Sequence, residues 1–197
     1  MGTMPDYRVG RPVFNGATFN TIYVGGVANK DFPEVRILRD RTYPGRPMPN
    51  FVRYIGLAYG GLCIDVQVAS QLNMGVDYTE FVLDKTIFAT PFRQIKITYR
   101  LDVSLRTGGF QRRSGLRVCA ALFSAANRTV GKGSVMKEHF SPDKVETIHD
   151  TSEVELVLDT SNVNEDAFVA LYVNAFSDYN QSIVNGKVIF TKIELVN

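Results

Sequence analysis

The sequence predicts an all-β protein: a β-sandwich of jelly-roll type with an extended Pro/Gly-rich N-terminal arm. Three observations carry that expectation. From Gly61 onward apolar and polar residues alternate with a period of two, as strand side chains do when they point to opposite faces of a sheet. No long run shows the 3.6-residue period of an amphipathic helix. Six of the eight prolines fall before residue 50, where they exclude central strands and helix interiors.

Residues 1–60 therefore read as the arm. Short apolar pieces at 21–24 and 34–38 predict short strands within it. The arm also holds Phe14, Phe19, Phe32, Tyr43, Phe51 and Tyr54, together with Arg36, Arg39, Arg41, Arg46 and Arg53. A solvated tail has no use for so many rings, which lay themselves on the protein's own sandwich or on a neighbouring subunit.

Residues 61–197 read as the sandwich domain. Leu62, Ile64, Val66 and Val68 alternate with Cys63, Asp65 and Gln67, and 78–83 is a shorter candidate strand. After Pro91 the alternation is strict: Ile95, Ile97, Tyr99, Leu101, Val103 and Leu105 share one face, with Lys96, Thr98, Arg100, Asp102, Ser104 and Arg106 on the other. Thr107-Gly108-Gly109 ends that run. Residues 116–124 and 168–176 are apolar on both faces, as central strands are, and 127–134 reads as a polar loop. Val154, Leu156 and Leu158 mark another strand. A polar loop at 178–185 ends in Asn185-Gly186, the best hairpin-turn signal in the chain, before a last strand at 188–196. About eight strands at this spacing fit a sandwich or jelly roll.

The stretch from about Phe92 to Asn197 resembles the galactose-binding-like jelly rolls found in carbohydrate-binding modules and in phage virion proteins. The likeness lies in QIKITYRLDVSL from Gln94 as the long early strand, VELVLDT from Val154 as a middle strand, and FVALYVN from Phe168 with KVIFTKIELV from Lys187 as the last two. The resemblance implies the fold. Trp, a common platform for sugar rings, is absent, so a glycan site would rely on Tyr and Phe.

The net charge of +2 is the sum of two unequal parts. Residues 1–133 carry 18 Lys+Arg against 9 Asp+Glu (net +9), and residues 134–197 carry 4 against 11 (net −7). Either the fold mixes these charges over one surface, or the protein has two electrostatically distinct sides that meet neighbours. The arginines could meet phosphates, but an interface with carboxylates suits them better; nucleic acid is disfavoured, and no apolar run is long enough to span a membrane. No secretory signal is visible. Cys63 and Cys119 read as buried thiols without a zinc partner set.

Little chemistry stands out. His139 and His149 are the two imidazoles, each beside an acid (Glu138 and Asp150), without a recognisable nucleophile, phosphate or metal motif, so both read as surface or loop histidines. No cofactor, metal or catalytic residue is expected. Asn174, Asp178, Tyr179 and Asn180 combine amides, a carboxylate and a ring in one polar stretch, the ingredients of a glycan-binding loop. The sequence thus reads as a non-enzymatic virion structural protein, a bacteriophage head or tail component. Its partners would be other virion proteins or copies of itself, bound through Phe14, Phe19, Phe32, Arg36, Arg39, Arg41, Tyr43 and Arg46. The alternative is a carbohydrate-binding or receptor-binding β-sandwich with a surface glycan as partner; a hydrolase using His139 or His149 ranks third.

Overall fold

The computed structural model describes residues 21–24, 27–28, 35–40, 51–69, 75–83, 87–88, 93–108, 114–124, 131–141, 146–163, 166–177 and 182–196. Fourteen strands occupy them: β1 (Thr21–Val24), β2 (Val27–Ala28), β3 (Val35–Asp40), β4 (Phe51–Ala58), β5 (Gly61–Ala69), β6 (Gly75–Leu83), β7 (Ile87–Phe88), β8 (Gln94–Arg106), β9 (Ser114–Ser124), β10 (Gly131–Phe140), β11 (Thr147–Asp150), β12 (Glu153–Asp159), β13 (Asp166–Ser177) and β14 (Ile183–Val196). Among the described residues there is no helix, and none long and apolar enough to cross a membrane.

The strands form two antiparallel sheets. The first is built on the β8–β14 pair. β11 and β12 lie end to end along the free side of β8, while β5 and β1 share the other side of β14, with β4 outside β5 and β2 outside β1. The second runs β10–β9–β13–β6–β3, with β7 beside β13. From β5 onward the chain crosses repeatedly between the sheets, which is the jelly-roll arrangement the sequence predicts.

Alternation decides what each strand buries. On β8 every residue of the apolar set from Ile95 to Leu105 is buried, and the polar set faces outward. Leu62, Ile64, Val66 and Val68 of β5, Leu116, Val118, Ala120 and Leu122 of β9, and Val169, Leu171, Val173 and Ala175 of β13 complete a single core. β9 and β13 are interior strands of their sheet, as their apolar character on both faces predicts. Strands from the first 60 residues join both sheets: β1 pairs with β14, β3 with β6 and β4 with β5, and Val52 lies fully in the core.

Polar hydroxyls close one end of the sandwich. Ser114 Oγ donates to the carbonyls of Arg106 (2.7 Å) and Ile183 (3.3 Å), joining β9 to both central strands of the facing sheet. Ser141 Oγ accepts the Ser114 N–H and bonds Thr107 Oγ1. Ser177 Oγ donates to the Ser182 carbonyl, and Ser182 Oγ accepts the Gly108 N–H. All five hydroxyl residues are buried, so each bond answers a desolvation cost.

Two expectations are corrected. Residues 131–134 do not continue a polar loop but begin β10, an edge strand paired with β9. Asn185-Gly186 makes no turn. Both residues lie inside β14, paired with Gln67 and Val66 on one side and Ser104 and Val103 on the other. Glycine is needed there because the backbones approach closely: φ is +145°, and a Cβ would collide with the Asp102 carbonyl oxygen. A tight two-residue turn instead joins β4 to β5 at Tyr59-Gly60, both with positive φ (55° and 83°). Gly186→Ala is expected to destabilise the domain by about 2–4 kcal/mol through this collision and the forced φ. Urea unfolding checks this, and a loss below measurement error would show that the ladder can yield.

Candidate functional site

Functional-type side chains gather in three places. The first is inside the sandwich. Tyr99 is fully buried on the core face of β8, edge-on to His139 and tilted against Phe190, each with ring centroids 5.8 Å apart. Burial pushes its phenol far above the usual value, so Tyr99 keeps its proton and donates it to His139 Nε2 at 2.7 Å. That fixes the tautomer: Nδ1 carries the imidazole proton and faces Asp150 Oδ2 at 3.4 Å. Burial lowers the pKa of His139 despite the opposing pull of Asp150, so the ring is neutral at neutral pH. Burial alone would raise Asp150, but hydrogen bonds from Ser152 and His139 outweigh it and hold the carboxyl below its ordinary range. His139 is therefore not a surface or loop residue. It is a buried link between β10 of one sheet and β8 and β11 of the other. Tyr99 has no exposed surface, so the Tyr99–His139–Asp150 hydrogen-bond line is enclosed between the sheets.

The second place is the outer face of the β8 sheet. His149 lies 3.1 Å from Asp102 Oδ1 through Nε2 and 3.3 Å from Ser104 Oγ through Nδ1. This Ser–His–Asp line lies on a flat ladder, where Ser104 is flanked on both sides by β11 and β14. The N–H groups of such a ladder are spent on neighbouring strands, so they do not converge as donors on a developing oxyanion. Beside it, Arg100 Nη2 donates to the Tyr59 carbonyl at 2.6 Å, and Lys187 Nζ lies 5.3 Å from the Tyr59 ring centroid.

The third is the outer face of the β9–β13 sheet, which alternation places opposite the core. Cross-strand register sets its side chains in rows. Phe123 pairs with Phe168, then Ala121 with Ala170, then Cys119 with Tyr172, then Arg117 with Asn174, then Gly115 with Phe176. β10 adds Met136, Glu138 and Phe140 to the last three rows. The two alanines leave a low strip between walls of larger side chains. Arg117 bonds Glu138 through Nε, and its guanidinium lies 5.0 Å from the Phe176 ring centroid. Phe140 meets Phe176 edge-on at 5.7 Å. Phe123, Phe168, Tyr172 and Phe176 are half-buried, and Met136 is 55% exposed. The face thus combines partly open rings with a fixed guanidinium, carboxylate and amide.

Of the residues singled out from sequence, Asn174 lies within β13 rather than in a loop and is buried, 6% exposed, on this face. Asp178, Tyr179 and Asn180 lie outside the described residues, as do Phe14, Phe19, Phe32, Arg41, Tyr43 and Arg46. Arg36 and Arg39 lie on β3, opposite Val82 and Glu80 of β6. The charge asymmetry of the chain is partly resolved by pairing across the two segments: Lys96 meets Glu155 at 3.3 Å and Arg117 meets Glu138. Arg117, Glu138 and Tyr172 were missed as a group. Their only sequence signal is the second apolar face of 116–124 and 168–176, which reads equally well as central-strand burial.

No protein-family profile matches the chain, and no characterised protein matches it in sequence. Solved structures similar to it include carbohydrate-binding modules and a virus particle protein. The family 11 carbohydrate-binding module from Clostridium thermocellum, in complex with a β-1,3-1,4-mixed-linked tetrasaccharide, is 13% identical over 83% of this chain and 95% of its own, with a TM-score of 0.36. The mannan-recognising carbohydrate-binding module TmCBM27 is 9% identical over 82% and 86%, with a TM-score of 0.40. The VP2 subviral particle protein of infectious bursal disease virus is 12% identical over 79% of this chain and 43% of its own, with a TM-score of 0.32.

The two cysteines are unbridged and differ in reach. Cys63 is fully buried, and burial, reinforced by Asp65 against Lys187 and Arg100, pushes its thiol up to about 11. Cys119 is half-buried on the outer face of the β9–β13 sheet. Iodoacetamide at neutral pH is expected to label Cys119 in the folded protein and Cys63 only after unfolding. Peptide mass mapping decides it, and prior labelling of Cys63 would contradict the burial pattern.

Proposed function

We propose that the protein is a non-catalytic binding domain that holds a carbohydrate chain against the outer face of the β9–β13 sheet. The observation that carries this reading is the row pattern of that face. Phe168, Tyr172 and Phe176 recur every fourth residue of β13, roughly 13 Å apart along the strand. Between and beside them stand the Arg117–Glu138 pair and Asn174. Rings that stack on the C–H faces of sugars, alternating with groups that bond hydroxyls, suit an extended polar polymer with apolar faces. Carbohydrate recognition by similar β-sandwiches agrees with this reading but does not carry it.

A glycan array of linear β-glucans and mannans tests it. Tyr172→Ala is expected to abolish retention with the circular dichroism spectrum unchanged. Arg117→Ala should weaken binding about tenfold to a hundredfold, the loss of a charge-assisted hydrogen bond. Absence of signal across the array, or binding indifferent to both substitutions, overturns the reading.

A second reading, a virion structural protein acting through subunit contacts, keeps one specific support. Ile55 and Tyr59, 42% and 59% exposed, both lie on the β4–β5 hairpin. The segregated charge that also favoured it is weakened by the Lys96–Glu155 and Arg117–Glu138 pairs. If that hairpin is a subunit contact, the Ile55→Ser/Tyr59→Ser variant should lower the mass measured by light scattering from oligomer to monomer. A mass unchanged by the substitutions removes the hairpin's role.

A further inference from the structure

β10 is an edge strand with a residue of consequence on each face. Glu138 points outward and holds Arg117, while the next residue, His139, points inward to Tyr99 and Asp150. Among the described residues β10 ladders with β9 alone. Toward the facing sheet it is held by the His139 link, by Val135 packed against the core and, just past its end, by the Ser141–Thr107 hydroxyl bond. We propose that acid pH opens the outer face of the β9–β13 sheet by releasing β10, so that Glu138 leaves Arg117 and a bound glycan is let go. The inference rests on that face being the binding face.

The closed arrangement requires a neutral imidazole. Nε2 accepts the Tyr99 proton, and Nδ1–H faces Asp150. The groups around the ring are few. Tyr99 comes from β8, Asp150 from β11 and Lys137 from β10 itself. β9 sets Leu116 opposite His139 with Val118 next inward, both aliphatic. β12 packs Val154 on the core and exposes Glu153 and Glu155. Protonation turns Nε2 into a donor, so the Tyr99 oxygen must accept from it and the hydroxyl proton must turn away into the apolar core. The buried Tyr99 hydroxyl then loses its acceptor, and a cation stands where burial already disfavours it more than Asp150 favours it. Moving β10 outward wets the ring and removes both penalties.

The sign follows from linkage. His139 in the closed state takes a proton below its ordinary value of 6.5, and the open, solvated ring takes it near that value. Between the two, the open state binds more protons. Closure is therefore fully favoured above pH 6.5 and weakens as pH falls, by up to about tenfold in the equilibrium per pH unit.

Hydrogen–deuterium exchange of the β10 amides, corrected for intrinsic rates, reads the opening without any ligand. The full chain should lose about tenfold or more of its β10 protection between pH 7 and pH 5, with β13 unchanged over the same range. His139→Gln should remove that pH dependence. Tyr99→Phe, which deletes one hydroxyl, should lower protection at pH 7 and flatten the profile, because a neutral ring is then less favoured in the closed state. Retention on immobilised linear β-glucan and mannan at the two pH values reads the consequence: loss at pH 5 in the wild type, persistence in His139→Gln. A wild-type profile flat in pH, or a pH response retained by His139→Gln, overturns the gate. A pH-responsive β10 in a protein that retains no glycan at pH 7 overturns the binding reading and leaves the gate standing.

Discussion

A phenol buried in an aliphatic core must donate its proton, and in this sandwich that requirement decides where β10 sits. Tyr99 lies among the apolar residues of β8 with no exposed surface. Left without an acceptor, its hydroxyl would cost about 1–3 kcal/mol. The acceptor is supplied by His139 from the opposite sheet, and the orientation of that ring is supplied in turn by Asp150. Asp150 ends β11, where Ser152 donates to its other carboxylate oxygen and steadies the break before β12. One hydroxyl thus ties three strands of two sheets together through side chains alone.

Strand geometry carries that constraint to the outer face. Because neighbouring side chains on a strand point opposite ways, the hold on His139 also sets the position of Glu138, and through it Arg117 and the Phe176 ring. A binding face made from sheet side chains rather than loops takes its precision from the ladder beneath it. Here the ladder is complete on the β13 side and thin at β10, so the edge strand is the part whose placement depends on side-chain chemistry.

The fold was legible where burial is one-sided. β8 announces itself because Ile95 to Leu105 face the core and their neighbours face water, and β5 and β12 follow the same rule. β10 stayed hidden because its buried inward position is a histidine and its outward neighbours are Met136 and Glu138, so it shows no apolar period. Asn185-Gly186 misled for a related reason. The dipeptide signals a hairpin when flexibility is what the chain needs, whereas at Gly186 the need is closeness to Asp102. The true turn at Tyr59-Gly60 places a tyrosine at positive φ, a conformation no propensity favours and one that the Arg100 bond to its carbonyl helps to hold. The candidate site was the least legible, because Arg117, Glu138 and Asn174 meet only through register across β10, β9 and β13.

The charge asymmetry shows how far linear order can mislead about surface. Residues before 134 are strongly basic and those after it acidic, which suggests a protein with two faces. Antiparallel pairing undoes part of this, because a jelly roll places early strands beside late ones. β8 lies against β12, and β9 lies against β10. Lys96 then finds Glu155, and Arg117 finds Glu138. The first pair is partly exposed and adds little stability. The second matters for another reason: it spends the charge of Arg117 on a fixed geometry, leaving the rest of its guanidinium oriented over Phe176. A cation held this way suits hydroxyl groups of a neutral polymer better than diffuse attraction to an acidic one. The same Arg117–Glu138 pairing that offsets part of the charge asymmetry also orients the outer face for directional hydrogen bonding.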